Sequence, residues 1–352
     1  MISLLKNVLK PIRSRVSKFI RKEFINYVHA EPTILDLKSA SKVYPKSFGD
    51  KNPDKKFYVI WRDGGGAGFF SNFTHVMIHI KIAEDLDMIP VVDFKNFRTF
   101  YNEDHGVNGN YNAWEYYFKR LSPYTLDEVY SSKNVFFCDG EFSWSIWNKY
   151  FKSTDLFKSF FNKYIHLDNV AKERISRYSE IFNQRILGVH FRGKEMNYAP
   201  DHPFGATLNQ MFTYTDMILE KYNLSKIFIV TEEKRYLDAF VSKYKNKVMF
   251  TDSFCIEKMN AYNIYPRESH KYLLGLEVLC DAVLLSKCNI LLCNESNVSG
   301  FANFIGNHET VYLIDNGKNV SNRLVARYLY FFKKILPSKL GGLKNNLIIK
   351  KY

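Results

Sequence analysis

The sequence lacks the cysteine patterns of a disulfide scaffold or a zinc site. Its five cysteines are odd in number, contain no CxxC pair and lie mostly in apolar stretches; they are Cys138, Cys255, Cys280, Cys288 and Cys293. Disulfide frameworks and zinc sites depend on paired or closely spaced cysteines. The sequence therefore predicts a protein of a reducing cytoplasm, without a zinc site.

Long hydrophobic runs are also missing. No stretch of about 18 apolar residues occurs, and charge interrupts the first 24 residues too often for a secretory signal. We therefore expect a cytoplasmic chain that either stays in the cytosol or lies peripherally on the inner face of the cytoplasmic membrane.

Two ligand-binding motifs are absent as well. There is no GxxxxGK(S/T) loop, which argues against a sulfo- or phosphotransferase, and no recognisable nucleic-acid reading motif. Internal repeats and low-complexity segments are missing too. Nucleic acid is therefore not expected as a partner, although a non-catalytic protein that binds membrane or nucleic acid through basic ends remains a rival interpretation.

Positive charge is plentiful but uneven. The formal net charge is +14; the first 24 residues hold seven Lys or Arg and one Glu, and nine Lys or Arg but no acid follow Asp315. Apolar residues recur at a helical period between the N-terminal charges, which predicts either a solvated helix on its own domain or an anchor on an anionic membrane surface.

A chain of 352 residues with 46% hydrophobic residues suits two α/β domains better than one core. The predicted parts are a basic amphipathic segment over 1–30, an N-terminal α/β domain over 31–170, a C-terminal Rossmann-like domain over 171–320, and a basic helix and tail over 321–352.

The second half alternates short apolar strands with helices. The predicted strands are Ile186–Phe191, Lys226–Thr231, Lys247–Asp252, Ile290–Asn294 and Thr310–Asp315. Continuous apolar runs of this length are typical of strands that helices cover on both faces, so a doubly wound parallel sheet is predicted. In such sheets, ligands bind outside the carboxyl ends of the strands.

Polar residues follow four of these strands. In order along the chain they are His190 and Arg192, then Glu232 and Glu233, then Asp252, then Ser296, Asn297 and Ser299. An arginine beside a serine-rich helix start favours a pyrophosphate, and nearby acids can accept from ribose or a base. A salt bridge for the arginine, a solvated helical turn for the two glutamates and a simple helix cap for the serines are the structural alternatives.

Three segments resemble motifs of the GT-B glycosyltransferases that use GDP-fucose, namely the α1,6-, α1,2- and protein O-fucosyltransferases. These segments are "GVHFRGKE", "KIFIVTEEKRYLDAF" and "GLEVLCDAVLLSKCNILLCNESNVSGFA", and they cover about a third of the chain, 186–303. The resemblance implies a GT-B-like fold of two Rossmann-like domains with the donor cleft between them, the domain over 31–170 on the acceptor side and the domain over 171–320 binding the nucleotide sugar. It also implies a GDP-sugar donor, no cofactor, and inverting, metal-independent transfer.

The resemblance also implies roles for individual residues. Arg192 would clamp the pyrophosphate and stabilise the leaving group, His190 would touch guanine or ribose, and Glu232 or Glu233 would accept from the guanine N–H edge. Ser296, Asn297 and Ser299 would meet the β-phosphate. The family's Thr-Asp-Asp is Thr-Glu-Glu here and the aspartate that follows its arginine is Glu195, which leaves the exact sugar nucleotide open.

The remaining site assignments concern the base and the acceptor. Candidate bases are Glu195, Asp201 and His202, with Asp201 first because it lies beyond the phosphate loop. The glycine loop "DGGGAGFFSN", with Gly65 and Gly66, would approach the donor sugar or serve as a turn alone. Asn72, His75, Trp114 and Tyr116 are acceptor-side candidates, with core packing as the alternative for His75 and the two aromatic residues.

The predicted function is fucosyltransferase-like transfer from a GDP-sugar, with GDP-fucose as the first choice, to a hydroxyl of a glycan. GDP-mannose and a GDP-heptose are the alternative donors. The composition, rich in Lys, Asn and Phe, is consistent with a bacterial enzyme of cell-surface polysaccharide synthesis, such as that of lipopolysaccharide or capsule.

Overall fold

The structure is a computed structural model that describes residues 43–63, 68–138, 140, 144–151, 153–193, 197–257 and 261–351. The chain divides into two compact units, Met1–Lys152 and Ser153–Tyr352. The predicted amphipathic segment over 1–30 lies outside the described residues. None of the described helices is long and apolar enough to cross a bilayer.

The first unit is built on a four-stranded sheet. Its strands are β1 Val43–Lys46, β2 Phe57–Ile60, β3 Ile89–Val92 and β4 Val135–Cys138, in the order β1-β4-β2-β3. Its helices are α1 Phe69–Asp85, α2 Leu126–Val129 and α3 Trp144–Tyr150. β2 pairs parallel with β3 and β4, and β1 pairs antiparallel with β4. All four residues of β2 are buried, as a central strand with both faces covered requires.

The second unit carries a six-stranded sheet. Its strands are β5 Leu187–His190, β6 Ile227–Val230, β7 Val248–Met249, β8 Ile290–Asn294, β9 Thr310–Asp315 and β10 Asn346–Lys351. Its helices are α4 Thr154–Tyr164, α5 Asn169–Ser176, α6 Leu208–Lys221, α7 Lys234–Tyr244, α8 His270–Leu285, α9 Asn297–Ile305 and α10 Arg323–Ile335.

The order of this sheet is β10-β9-β8-β5-β6-β7, and only β10 is antiparallel to its neighbour. The chain runs outward from β5 to β6 and β7 on one side, and later to β8 and β9 on the other. The order therefore reverses between β5 and β8. In a doubly wound sheet this reversal marks the place where ligands bind.

The predicted α/β class, with two Rossmann-like units, is confirmed. Two edge strands, β1 and β10, were not predicted. Each pairs antiparallel at the edge of its sheet, and an edge strand depends on its pairing partner rather than on an apolar run in the sequence. The aromatic stretch "NAWEYYFKRL", 112–121, for which the sequence favours a short helix, forms turns over 113–117 instead.

The division between the two compact units falls after Lys152, and the predicted domain limit at 170 lies within α5. The predicted single helix over 144–164 is two helices, α3 and α4. α4 packs against α9 of the second unit, with the rings of Phe157 and Phe304 5.0 Å apart and those of Phe161 and Phe301 5.8 Å apart. These contacts group α4 with the second unit.

Candidate active site

Arg192 lies at the switch point of the second sheet, directly after β5. β5 and β8 pair in register, with His190 opposite Cys293, so the segments that follow the two strands meet at one edge. The Arg192 Nη1 donates to the carbonyl oxygen of Glu295 at 3.1 Å. Arg192, the predicted pyrophosphate clamp, is therefore held two residues before the first residue of α9.

Burial lowers the pKa of Arg192, and the nearby carboxylates of Glu232 and Glu295 oppose that shift. A guanidinium stays protonated in proteins even so. The site thus combines a partly desolvated cation with the positive end of a helix dipole, a combination that favours an anionic ligand.

The serine turn caps α9. Ser296 Oγ accepts from the Ser299 N–H at 3.2 Å, and Ser299 Oγ donates to the Asn294 carbonyl at 2.7 Å. The Ser299 hydroxyl thus donates within the turn, whereas Ser296 Oγ only accepts there and keeps its own O–H as a donor. The first N–H groups of a helix have no intrahelical acceptor, so the backbone N–H groups of Asn297 and Val298 and the Ser296 hydroxyl are the donors that this turn offers to an anion.

Two buried side chains near Arg192 carry polar atoms that have no hydrogen-bond partner within the described part of the chain. They are His190, through Nδ1, and Asn294, through both Oδ1 and Nδ2; the two side chains are 5% and 1% exposed. Burial and then the charge of Arg192 lower the pKa of His190 to about 3, so the ring is neutral at physiological pH. Unsatisfied buried polar atoms cost about 1–3 kcal/mol each.

The two predicted glutamates have different surroundings. Glu232 is exposed at the end of β6 and its carboxylate lies against Gly193, where an added Cβ would stand 2.8 Å from the Glu232 carboxyl carbon. Glu233 is buried, takes the N-cap position of α7 and forms an ion pair with Arg235 at 2.5 Å. Of the two, Glu232 has the carboxylate that faces the Arg192 segment.

Asp252 lies at the end of β7 and contacts α5 and the residues that follow it. Its carboxylate pairs with Arg174 and accepts from the Tyr178 hydroxyl at 2.7 Å. Partial burial would raise the pKa of Asp252, but these two partners outweigh it and the pKa is lowered. The predicted part of Asp252 in nucleotide binding stays a prediction.

Buried acids of α8 hold the segment that follows β7. Asp281 accepts from Thr251 Oγ1 at 2.6 Å, and burial raises the pKa of Asp281 to about 6. Glu277 accepts from both terminal nitrogens of Arg267 at 2.6 and 2.7 Å, and from the Phe254 N–H at 3.2 Å. The loop beyond β7 is thus fixed from beneath.

The candidate bases lie in the loop between β5 and α6. Asp201 accepts from Ser321 Oγ at 2.6 Å, and the N–H of Asn319 donates to the His202 carbonyl at 2.9 Å, so this loop is tied to 319–321. His202 Nδ1 lies 2.7 Å from the Pro200 carbonyl oxygen. Glu195 lies outside the described residues, and the choice of base stays a prediction.

In the first unit, Gly65 and Gly66 also lie outside the described residues. Beside them, at the end of β2, Arg62 donates through Nη1 to Ser71 Oγ and Asn72 Oδ1, each at 3.1 Å. Asn72 is 4% exposed. Burial lowers the pKa of Arg62. The start of α1 is thus linked to a half-buried cation.

His75 is fully buried in α1. Its Nε2 lies 2.8 Å from the Trp61 carbonyl oxygen, and burial, followed by the neighbouring His79, holds its pKa well below the ordinary value. The ligand atoms of His75, His79 and Cys138 lie within 4.8 Å of one another, close enough to hold a metal ion. Cys138 Sγ also donates to the Trp61 carbonyl at 3.3 Å, and His79 Nδ1 meets the Tyr58 hydroxyl at 2.8 Å, so hydrogen bonds join the cluster to the core.

Trp114 and Tyr116 are core residues, each 4% exposed. Trp114 packs against Phe118 and Phe73, with ring centroids 4.4 and 6.2 Å away. It also lines a small, mostly apolar pocket that includes Asn72. The acceptor roles of Asn72, His75, Trp114 and Tyr116 stay predictions.

Two polar residues at the strand ends received no site role from the sequence. Asn294 was included in the predicted strand as its last residue, and Arg62 was included in the same way at the end of the β2 stretch. The sequence pattern could have indicated both residues, because a polar residue at the carboxyl end of an apolar strand lies at the sheet edge where ligands bind.

No family model and no curated protein matches the sequence. Among solved structures, the chain is similar to the α-1,6-fucosyltransferase NodZ co-crystallised with GDP, at 16% identity over 84% of this chain and 98% of that chain, with a TM-score of 0.47. A further NodZ structure is from Bradyrhizobium.

It is also similar to Arabidopsis thaliana FUT1 in complex with GDP, at 10% identity over 74% of this chain and 70% of that chain, with a TM-score of 0.41. POFUT1 in complex with GDP is similar at 11% identity over 73% of this chain and 71% of that chain, with a TM-score of 0.32. These proteins are fucosyltransferases, as are those whose motifs the sequence resembles.

Proposed function

We propose that the second unit binds a GDP-sugar at the ends of β5 and β8, and that the protein is a fucosyltransferase-like glycosyltransferase. One observation carries the proposal: the hydrogen bond from Arg192 to the Glu295 carbonyl, which holds a guanidinium at the capped start of α9. The site lies at the reversal of strand order, where doubly wound sheets bind ligands.

The diphosphate is the part of the ligand that this arrangement fits best. A guanidinium offers two parallel N–H donors to phosphate oxygens, and the first turn of α9 offers backbone N–H groups together with the helix dipole. Because the Ser299 hydroxyl donates within the cap, we assign the phosphate contacts first to the backbone N–H groups of Asn297 and Val298 and then to the Ser296 hydroxyl, which only accepts in the cap.

The neighbouring polar atoms suit the hydroxyl-rich part of a sugar nucleotide. His190 and Asn294 bury polar atoms that lack partners within the described chain. A ribose or a monosaccharide presents hydroxyls that both donate and accept, so binding it would recover the cost of burying these atoms.

Glu232 supports guanine as the base. A carboxylate accepts hydrogen bonds and donates none, and guanine presents two adjacent N–H donors on its Watson–Crick edge, unlike adenine, cytosine and uracil. Glu233 forms an ion pair with Arg235, whereas the Glu232 carboxylate lies against Gly193 beside Arg192, and on that position we assign base recognition to Glu232. We therefore place GDP before UDP, ADP and CMP.

The proposed reaction breaks the bond between the anomeric carbon and the β-phosphate oxygen and forms one from that carbon to an acceptor hydroxyl oxygen. GDP leaves with the electron pair, and Arg192 and the α9 dipole stabilise its charge. A base takes the acceptor proton; Asp201 remains the first candidate, with Glu195 and His202 as the alternatives. We propose an inverting, metal-independent transfer of fucose, on the resemblance of the three motifs.

Titration calorimetry with GDP, UDP, ADP and CMP tests the donor. We expect GDP to bind most tightly and Arg192→Ala to weaken it by at least tenfold, since hydrogen bonds to charged groups contribute about 1.5–3 kcal/mol. Arg185→Ala is the matched control: Arg185 lies before β5, at the opposite end of the strand, and pairs with Glu309 on the surface.

Release of GDP from GDP-fucose, GDP-mannose and a GDP-heptose, each with a glycan acceptor, then identifies the sugar. Unchanged GDP affinity in Arg192→Ala would exclude the assigned clamp. A preference for another nucleotide would exclude a GDP-sugar as donor.

A further inference from the structure

The helix α10, Arg323–Ile335, has one face fixed to the protein. Ala326 and Tyr330 are buried, and the Tyr330 ring stacks on Phe204 with centroids 5.8 Å apart. The Asn319 side chain donates to the Ala326 carbonyl at 3.0 Å, and Lys333 Nζ donates to the Gly341 carbonyl at 2.9 Å. Contacts at 326, 330 and 333 follow the helical period, so α10 is held along one side.

The opposite side of α10 is apolar and exposed. Six large side chains there expose between 49% and 76% of their surface: Leu324, Val325, Tyr328, Phe331, Phe332 and Ile335. The spacing 324, 328, 331 and 335 forms one stripe along the helix, and 325 and 332 lie beside it. Together they form an exposed apolar surface of six large side chains, and a contiguous exposed apolar surface marks an interaction site.

Basic side chains flank this apolar stripe. Arg323, Arg327 and Lys334 are exposed and lie between the stripe and the buried side of the helix. The Arg327 guanidinium carbon lies 5.8 Å from the centre of the Tyr328 ring. The whole segment after Asp315 holds nine Lys or Arg and no acid. An exposed apolar face with cationic flanks is complementary to a bilayer surface that carries anionic headgroups.

We propose that α10 docks in the plane of an anionic phospholipid bilayer, with its apolar stripe among the acyl chains and its basic flank at the headgroups. A 13-residue helix is about 20 Å long, too short to span the hydrocarbon core but sufficient to lie along it. Leu336 and Leu340, which follow the helix, are 43% and 70% exposed.

The positive charge of α10 argues against two other partners for this face, namely a second copy of the chain and the chain's own first 24 residues. A second copy bound antiparallel through a twofold axis would place the two basic flanks on the same side of the helix pair, with Arg327 of one copy towards Lys334 of the other. The first 24 residues, with seven Lys or Arg and one Glu, would likewise bring positive charge against positive charge. An anionic membrane is the occupant that neutralises the basic flank.

Vesicle co-sedimentation of the full chain tests the proposal. We expect binding to vesicles of phosphatidylcholine with about one third phosphatidylglycerol, weak binding to pure phosphatidylcholine, and release at high salt because the headgroup attraction is screened. Replacing Leu324, Phe331 and Ile335 together by Glu should lower the partition coefficient at least tenfold, since each inserted side chain contributes about tenfold.

A matched control places three glutamates on other exposed helical positions of the same unit, through Leu156→Glu, Met217→Glu and Val241→Glu, which are 57%, 37% and 38% exposed. This control should bind vesicles within about twofold of the wild type. Both triple variants should keep the unfolding midpoint and GDP affinity of the wild type, so that a failure here is separable from a failure of the donor site.

Three results would overturn the docking. They are absence of wild-type binding to the anionic vesicles, equal binding by the α10 variant and the control, and a wild-type dimer in sedimentation that the α10 variant converts to a monomer. Equal binding would assign the membrane contact to another surface, and the dimer would assign this face to a second copy.

Discussion

Gly193→Ala offers a precise probe of the site, because the methyl group acts on one neighbour. A Cβ at this position would stand 2.8 Å from the carboxyl carbon and 2.9 Å from Cγ of Glu232, with a carboxylate oxygen nearer still. Ordinary carbon contacts are about 3.5–4.0 Å, so the carboxylate must retreat by roughly 1 Å. The atoms that move are the flexible end of an exposed side chain, so the fold should tolerate the change.

The expected effect is a loss of GDP affinity. A retreat of about 1 Å takes a hydrogen bond of about 2.8 Å out of range. Charge-assisted hydrogen bonds contribute about 1.5–3 kcal/mol, so the dissociation constant for GDP should rise roughly tenfold to 100-fold. Titration calorimetry measures this, and urea unfolding should show a stability within about 1 kcal/mol of the wild type.

A double-mutant cycle shows whether the loss passes through Glu232. Glu232→Ala alone should weaken GDP binding to a similar extent, and adding Gly193→Ala to it should cost little more because the methyl group then has room. Additive losses would mean that Gly193 acts independently of Glu232. Wild-type affinity in Gly193→Ala would refute the assignment of Glu232 to the base.

Three stability predictions follow from buried groups around the site. Burial raises the pKa of Asp281 to about 6, so its contribution to stability is complete below about pH 4 and is lost as the pH rises through 6. In urea unfolding, the wild type should lose about 1 kcal/mol of unfolding free energy between pH 5 and pH 7.5, and Asp281→Asn should not show this loss. Glu277→Gln should lower the unfolding free energy by about 2 kcal/mol, because Arg267 loses a two-point ion pair; an unchanged denaturation midpoint would contradict this. Ser299→Ala should cost about 1 kcal/mol in a thermal melt, through the hydrogen bond to the Asn294 carbonyl, while a gain in stability would mean that the cap is not needed.

Much of the second unit was predictable because its signals are local. The helix predicted over 208–222 is observed at Leu208–Lys221, where Thr207 supplies a capping box with Gln210. Strands Ile290–Asn294 and Thr310–Asp315 were predicted with their observed bounds, since continuous apolar runs mark strands covered on both faces.

What the sequence could not supply depends on contacts between distant segments. β10 is mostly exposed, and its pairing with β9 rather than an apolar run makes it a strand. The reversal of strand order between β5 and β8 is likewise a property of the assembled sheet. The polar residues at the strand ends were visible in the sequence. Only the packing shows that Glu233 pairs with Arg235 while Glu232 faces Gly193.

The most direct test of the account is a crystal structure of the protein with GDP. We predict the diphosphate between the Arg192 guanidinium and the N–H groups of Asn297 and Val298, within hydrogen-bond distance of both, and the guanine edge on the Glu232 carboxylate. GDP bound at any other place, or a diphosphate with no contact to Arg192, would contradict the proposed site.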